Sequence, residues 1–131
     1  MSQRSAVVID DEPDTTTYLS SLLVDNGWKV RAANSVSDGL GLLAAEPSDV
    51  VLLDLMMPER GGLSALVAIR KDPRLKETPV VVVSGIQDQV TGDYHAYLEK
   101  FKHYHPNAFL DKPIDAKQLL TTLDGLVPPR G

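Results

Sequence analysis

The sequence predicts an α/β fold built on a parallel sheet, and two observations lead to this prediction. The first is a set of four short, continuous apolar runs: "AVVI" (6–9), "VVLL" (50–53), "VVVV" (80–83) and "AFL" (108–110). Continuous runs of this length suit strands that are buried on both faces, as in a parallel sheet. The second is that amphipathic segments separate these runs, so that strands and helices alternate along the chain.

The remaining elements are read in chain order. A weaker, partly alternating run, "KVRAA" (29–33), predicts an edge strand. Pro13 suits the first turn of a helix that ends at Gly27, and "SVSD" from Ser35 is typical of a capping box that opens a second helix. Gly39 and Gly41 weaken that second helix. Three further helices are predicted around 63–69, 94–101 and 119–127.

Five strands that alternate with five helices predict a flavodoxin-like, doubly wound (βα)5 three-layer sandwich with the strand order 2-1-3-4-5. In such sheets, ligands bind beyond the carboxyl ends of the strands, where the strand order reverses. Here that point lies between strands 1 and 3.

Composition limits the possible functions. The 131 residues suffice for one domain over 1–127, with 128–131 as a tail or the start of a linker. The net charge of −5 disfavours direct nucleic-acid binding, and the absence of cysteine excludes disulfides and thiolate sites. No stretch has the length of a membrane span, and the short apolar run at the N-terminus does not resemble a signal peptide. These features together predict a cytoplasmic location.

Polar residues follow the predicted strands at their carboxyl ends. Asp10 and Asp11 follow strand 1, Asp54 follows strand 3, Ser84 ends strand 4, and Lys112 comes shortly after strand 5. Crowded carboxylates either have raised pKa values or hold a cation, and an all-oxygen ligand set favours Mg²⁺. A hydroxyl and an ammonium beside such a site suggest phosphoryl chemistry, in which one acid acts as the nucleophile. Taken singly, each residue has a simpler interpretation as a turn, cap or surface residue.

The motifs "VVIDDEP", "VVLLDLMMPERGG", "VVVVSG" and "AFLDKPI", in this order, resemble the receiver domain of response regulators in two-component signalling, of the chemotaxis-regulator type. The resemblance extends from about Ala6 to Val127. It implies that Asp54 is the phosphoacceptor, and that Mg²⁺ is held by Asp10, Asp11, Asp54 and the backbone carbonyl of Met56. It further implies roles for five more residues: contacts with the phosphoryl group from Ser84 and Lys112, a cis bond before Pro113, an aromatic switch at Phe109, and a glycine opening the third helix at Gly62.

Two features depart from the family pattern. Phe109 lacks the hydroxyl of the tyrosine that often stands at the switch position, so a switch here works by burial of the ring. The stretch between Ser84 and Lys112 is longer than in typical members, and "HYHPNA" (103–108) replaces the usual Gly-Ala. The histidines His95, His103 and His105 are interpreted as exposed residues on and after the fourth helix.

The resemblance implies a phosphorylation-dependent switch that changes its surface between helix 4 and strand 5, with only self-phosphorylation and slow self-dephosphorylation as activities. Its partners would be a histidine kinase or phosphotransfer protein and an unidentified downstream effector, with no membrane contact and a possible homodimer. Two alternatives stay open: a Mg²⁺-dependent phosphohydrolase with an aspartyl nucleophile, and an interaction module that is not phosphorylated. A second acid two residues after the nucleophile is usual in that hydrolase class, but Met56 stands there.

Overall fold

The computed structural model describes residues 3–55, 61–84 and 104–129. Its five strands form one parallel sheet in the order β2-β1-β3-β4-β5, which confirms the predicted fold class and places β2 at an edge. The strands are β1 (Ser5–Ile9), β2 (Lys29–Ala33), β3 (Val50–Leu53), β4 (Val80–Ser84) and β5 (Ala108–Asp111).

The helices of the described residues are α1 (Pro13–Asp25), α2 (Val36–Ala45), α3 (Gly61–Lys71) and a C-terminal helix (Ala116–Leu126). The predicted helix around 94–101 lies outside the described residues. Two predicted helix boundaries are confirmed: Ser35 caps α2 by accepting a hydrogen bond from the Asp38 N–H, and Gly27 follows α1 with a φ of 89°. No helix in the described part of the chain is long and apolar enough to cross a membrane.

The apolar strands bury both faces, because successive side chains point to opposite sides of the sheet. In β1, Val7 and Ile9 belong to the cluster beneath α2 and α3, whereas Ala6 and Val8 belong to the cluster beneath α1 and the C-terminal helix. This division explains why the strands read as continuous apolar runs. It also gives the three predicted layers, with helices covering each face of the sheet.

Gly39, which weakened the prediction of α2, has a packing role. A Cβ placed at Gly39 would lie 2.6 Å from Ile9 Cγ1, far inside van der Waals contact. Because Ile9 is fully buried, the missing side chain lets α2 approach the last residue of β1 closely. Gly41 differs, since a Cβ there would meet nothing within 4 Å.

At the amino end of the sheet, Arg70 links α3 to the segment that enters β5. Its guanidinium donates to the carbonyl oxygens of Thr78 (2.7 Å) and His105 (3.1 Å) and to Asn107 Oδ1 (2.7 Å). Asn107 Oδ1 also accepts from the Val80 N–H at 2.9 Å. Arg70 therefore fixes the end of the segment that departs from the family pattern.

Replacing Arg70 with Met is expected to lower the free energy of unfolding by about 2 kcal/mol. Hydrogen bonds from a charged donor are lost, and the oxygen atoms that accepted them lose this partner. Urea unfolding of Arg70→Met and Arg74→Met provides the comparison. Arg74 is exposed and lies 3.9 Å from Asp72, so its replacement should change stability little. Equal losses in the two variants would contradict the role given to Arg70.

Candidate functional site

The site is built where β1 and β3 end side by side. Ile9 pairs with Leu53 as the last residue of each strand, so Asp10 and Asp54 leave the sheet next to each other. The Asp54 N–H donates to the Ile9 carbonyl at 3.0 Å, which holds the start of the β3–α3 loop against β1. Both acids are buried, at 2% exposure for Asp10 and 4% for Asp54. Two ionisable side chains thus share one buried edge.

Four acids converge at this edge among the described residues. Asp10, Asp11, Glu12 and Asp54 each offer a carboxylate oxygen, and these oxygens lie within 4.8 Å of one another. Carboxylate oxygens match the chemistry of hard divalent cations such as Mg²⁺. The donor set therefore fits Mg²⁺.

Lys112 contacts three of these acids. Its ammonium lies 3.0 Å from Asp10 Oδ2, 3.2 Å from Glu12 Oε1 and 3.6 Å from Asp54 Oδ2. The Lys112–Pro113 peptide bond is cis, as the sequence predicted. The single ammonium of Lys112 thus contacts carboxylates that follow two neighbouring strands, Asp10 after β1 and Asp54 after β3.

Burial makes the charged form of the Asp10 carboxyl group costly in this site. Burial raises the pKa of Asp10 to about 6, although hydrogen bonds from the Glu12 N–H and Lys112 oppose the rise. Burial by itself lowers the pKa of Lys112, but the hydrogen bond with Asp10 and the charge of Asp54 outweigh it and leave this pKa above its ordinary value. An added cation would relieve the cost of the Asp10 charge.

The other predicted site residues have different outcomes. Ser84 is the last residue of β4, in register with Asp111, and Phe109 is half-buried in β5 against the cluster beneath α2 and α3. Met56 lies outside the described residues. Asp11 does not cap α1, since the residue at the cap is Glu12, whose side chain makes no capping hydrogen bond.

Of the three histidines, only His105 falls within the described residues, where it is exposed, in agreement with its interpretation. His95 and His103 lie outside them. Trp28, which follows α1, is buried at 1% exposure.

Sequence reasoning missed two residues of the site. Glu12 contacts Lys112, and Asn34 donates through Nδ2 to the Asp10 carbonyl at 2.8 Å. The signal for Glu12 was its place directly after the acid pair in "DDEP". Asn34 follows β2, and its position at the carboxyl edge beside β1 was the signal available for it.

A surface hollow lies between α1 and the segment from Lys112 to Ile114. The hollow has a volume of about 360 Å³ and is lined mainly by apolar surface. Tyr18, one of its lining residues, is 48% exposed. The residues that line the hollow are Asp14, Thr15, Tyr18, Lys112, Pro113 and Ile114.

Comparisons with known proteins agree with this architecture. A family model described as "Response regulator receiver domain" matches residues 6–124. Protein PilH of Pseudomonas aeruginosa is 31% identical over 121 residues, which are 92% of this chain and 95% of PilH. A probable cyclic di-GMP phosphodiesterase of Vibrio cholerae is 34% identical over 85 residues, 65% of this chain but only 19% of that protein.

Solved structures show the same fold. Chemotaxis protein CheY4 of Vibrio cholerae superposes with a TM-score of 0.85 at 22% identity, covering 96% of this chain and 100% of CheY4. A response regulator receiver domain protein of Clostridium thermocellum gives a TM-score of 0.79 at 26% identity, covering 95% of this chain and 94% of that one. The family model matches nearly the whole length of this chain. The chain therefore belongs to the response regulator receiver domain family of two-component systems.

Proposed function

We propose that Asp54 accepts a phosphoryl group from the phosphohistidine of a histidine kinase or phosphotransfer protein, and that residues 1–127 form the receiver unit. The observation that carries this proposal is the convergence on Asp54, at the end of β3, of Asp10 and Asp11 from the end of β1 and of Lys112 from the end of β5. Membership of the receiver family implies phosphorylation-dependent switching, and the proposal names the residues that perform it.

In the proposed transfer, an Asp54 carboxylate oxygen attacks phosphorus, the bond to the donor imidazole nitrogen breaks, and the imidazole leaves with the electron pair. Asp10, Asp11 and Asp54 would hold Mg²⁺ through their carboxylates, together with the Met56 carbonyl. The ion, when bound, neutralises charge on the phosphoryl oxygens. Lys112 supplies a movable positive charge, since its ammonium is only 3.6 Å from Asp54 Oδ2.

The proposed switch follows from a change of partners at Lys112. Before transfer its ammonium contacts Asp10 and Glu12, and after transfer it pairs with a phosphoryl oxygen instead. Ser84 and Phe109 are the proposed switch residues: Ser84 ends β4 in register with Asp111, and Phe109 lies in β5, the strand that leads to Lys112. The proposed readout is the surface between the predicted fourth helix and β5, which a downstream effector or a second copy would recognise.

Incubation with acetyl phosphate and Mg²⁺ tests the proposal by intact-protein mass spectrometry. The wild type should gain one phosphoryl group and lose it slowly, and chelation of Mg²⁺ should prevent the gain. Asp54→Asn should show no gain, because the amide is not a nucleophile of this kind. Asp25→Asn is the matched control, since Asp25 is an exposed acid at the end of α1, and it should label like the wild type.

Two results would redirect the assignment. Labelling of Asp54→Asn at the wild-type level would remove Asp54 as the acceptor. A wild type that never labels, yet folds and binds Mg²⁺, would favour the interaction module that is not phosphorylated. Multiple turnover of p-nitrophenyl phosphate would instead favour the phosphohydrolase.

A further inference from the structure

Asn34 forms a hydrogen-bonded link between the end of β2 and the acidic loop. Its side-chain Nδ2 donates to the Asp10 carbonyl at 2.8 Å and to Thr16 Oγ1 at 3.2 Å. Thr16 is buried, at 5% exposure, and its hydroxyl donates in turn to the Pro13 carbonyl at 3.0 Å. One amide group therefore joins the loop after β1 to the first turn of α1, and it uses both of its N–H donors.

The Asp10 carbonyl belongs to the peptide that joins Asp10 to Asp11. Its orientation therefore helps to set the backbone from which both carboxylates extend. On the other side of the same residue, the Asp10 N–H donates to the Ala33 carbonyl at 3.1 Å. That bond is made by backbone atoms and persists whatever side chains are present, whereas the bond to the carbonyl depends on the identity of residue 34.

We propose that Asn34 is a positioning residue that sets the affinity of the acidic loop for Mg²⁺ by fixing the Asp10–Asp11 peptide. The inference rests on the proposed function, because it takes Asp10 and Asp11 as carboxylates that hold Mg²⁺. Asn34 itself does not contact the ion. Groups that orient metal ligands in this way affect metal affinity even though they lie outside the ligand set.

The chain offers a matched control at the opposite end of α1. Asn26 Nδ2 donates to the Leu22 carbonyl, also at 2.8 Å, and this bond is exposed and remote from the acids. Asn26→Ala and Asn34→Ala each remove a side-chain amide that donates to a backbone carbonyl. Asn34→Ala should lose more thermal stability than Asn26→Ala, because its two bonds are partly buried and the Asn26 bond is exposed. Metal binding is therefore compared well below both melting temperatures, where each variant is folded.

Calorimetric titration of the unphosphorylated protein with MgCl₂ tests the proposal. The Mg²⁺ dissociation constant should rise about tenfold in Asn34→Ala, at the low end of the 10- to 100-fold typical of such positions, and stay unchanged in Asn26→Ala. Hydrogen exchange supplies a readout without metal. The Glu12 N–H donates to Asp10 Oδ1 at 2.9 Å, and its exchange should accelerate only in Asn34→Ala.

Two outcomes would overturn the proposal: wild-type Mg²⁺ affinity in Asn34→Ala, or an equal loss in Asn26→Ala. Acetyl phosphate labelling of the wild type separates this failure from failure of the proposed function. If the wild type labels on Asp54 while Asn34→Ala binds Mg²⁺ normally, only the role of Asn34 falls. If the wild type binds no Mg²⁺, both fall together.

Discussion

Replacing Gly62 with Ala is expected to lower the free energy of unfolding by about 3 kcal/mol, since overpacking against backbone cannot be relieved by rotating a side chain. A Cβ at this position would lie 2.6 Å from Leu55 Cα and would collide with the Asp54 carbonyl oxygen. The Gly62 N–H also donates to the Leu55 carbonyl at 3.0 Å. The start of α3 therefore packs directly against the backbone of Asp54, the proposed phosphoacceptor. The substitution must displace either the start of α3 or that backbone.

Gly41→Ala and Gly125→Ala are the controls for this prediction. A Cβ at either position meets nothing within 4 Å, and both glycines lie inside helices. These substitutions should raise stability by about 0.5–1 kcal/mol through helix propensity. Urea unfolding of the three variants makes the comparison, and a Gly62→Ala protein as stable as the controls would show that the close approach is not real.

The second large effect is a pH dependence that comes from Asp10. Because burial raises its pKa from 3.8 to about 6, the folded protein binds a proton more tightly than the unfolded chain does. The resulting stability is fully present below about pH 4 and is lost as the pH rises through about 6. Without Mg²⁺, Asp10→Asn should therefore be more stable than the wild type at pH 7 by roughly 1–3 kcal/mol, with little difference at pH 4.

Thermal or urea unfolding at pH 4, 5, 6 and 7 in EDTA measures this difference. Asp25→Asn removes an exposed acid outside the cluster and should follow the wild type at every pH. Added Mg²⁺ should stabilise the wild type more than Asp10→Asn, because ligand binding stabilises only the form that holds it. A constant difference between Asp10→Asn and the wild type across this pH range would refute the role given to Asp10.

The sheet could be predicted from the sequence because its determinants are local. Continuous apolar runs such as "VVLL" indicate directly that a strand is buried on both faces of the sheet. The alternation of strands with helices then limits the topology to a few possibilities. Gly39 shows where local reasoning falls short. Helix propensity disfavours a glycine inside α2. The structure shows why a glycine stands there: Ile9 of β1 approaches the helix too closely for a side chain. Such contacts appear only when the two elements are placed together.

The residues of the proposed site also fall into two groups: those that the sequence predicts and those that only the structure reveals. Asp10, Asp11, Asp54 and Lys112 stand directly at strand ends, so the predicted topology brings them to one edge without further information. Glu12 could not be assigned in this way, because its contact comes from Lys112, which is remote in sequence. Asn34 also stands at a strand end, but its bond goes to a backbone carbonyl, and no pattern of residue types reports a bond of that kind.

Locating the phosphoryl group on the chain shows directly whether Asp54 is the acceptor. After labelling with acetyl phosphate and Mg²⁺, borohydride reduction converts an aspartyl phosphate into a stable product that tandem mass spectrometry can assign to one residue. We expect modification at Asp54 alone, and no modified residue in Asp54→Asn. Modification of the wild type at Asp10, Asp11 or a histidine, with Asp54 untouched, would contradict it.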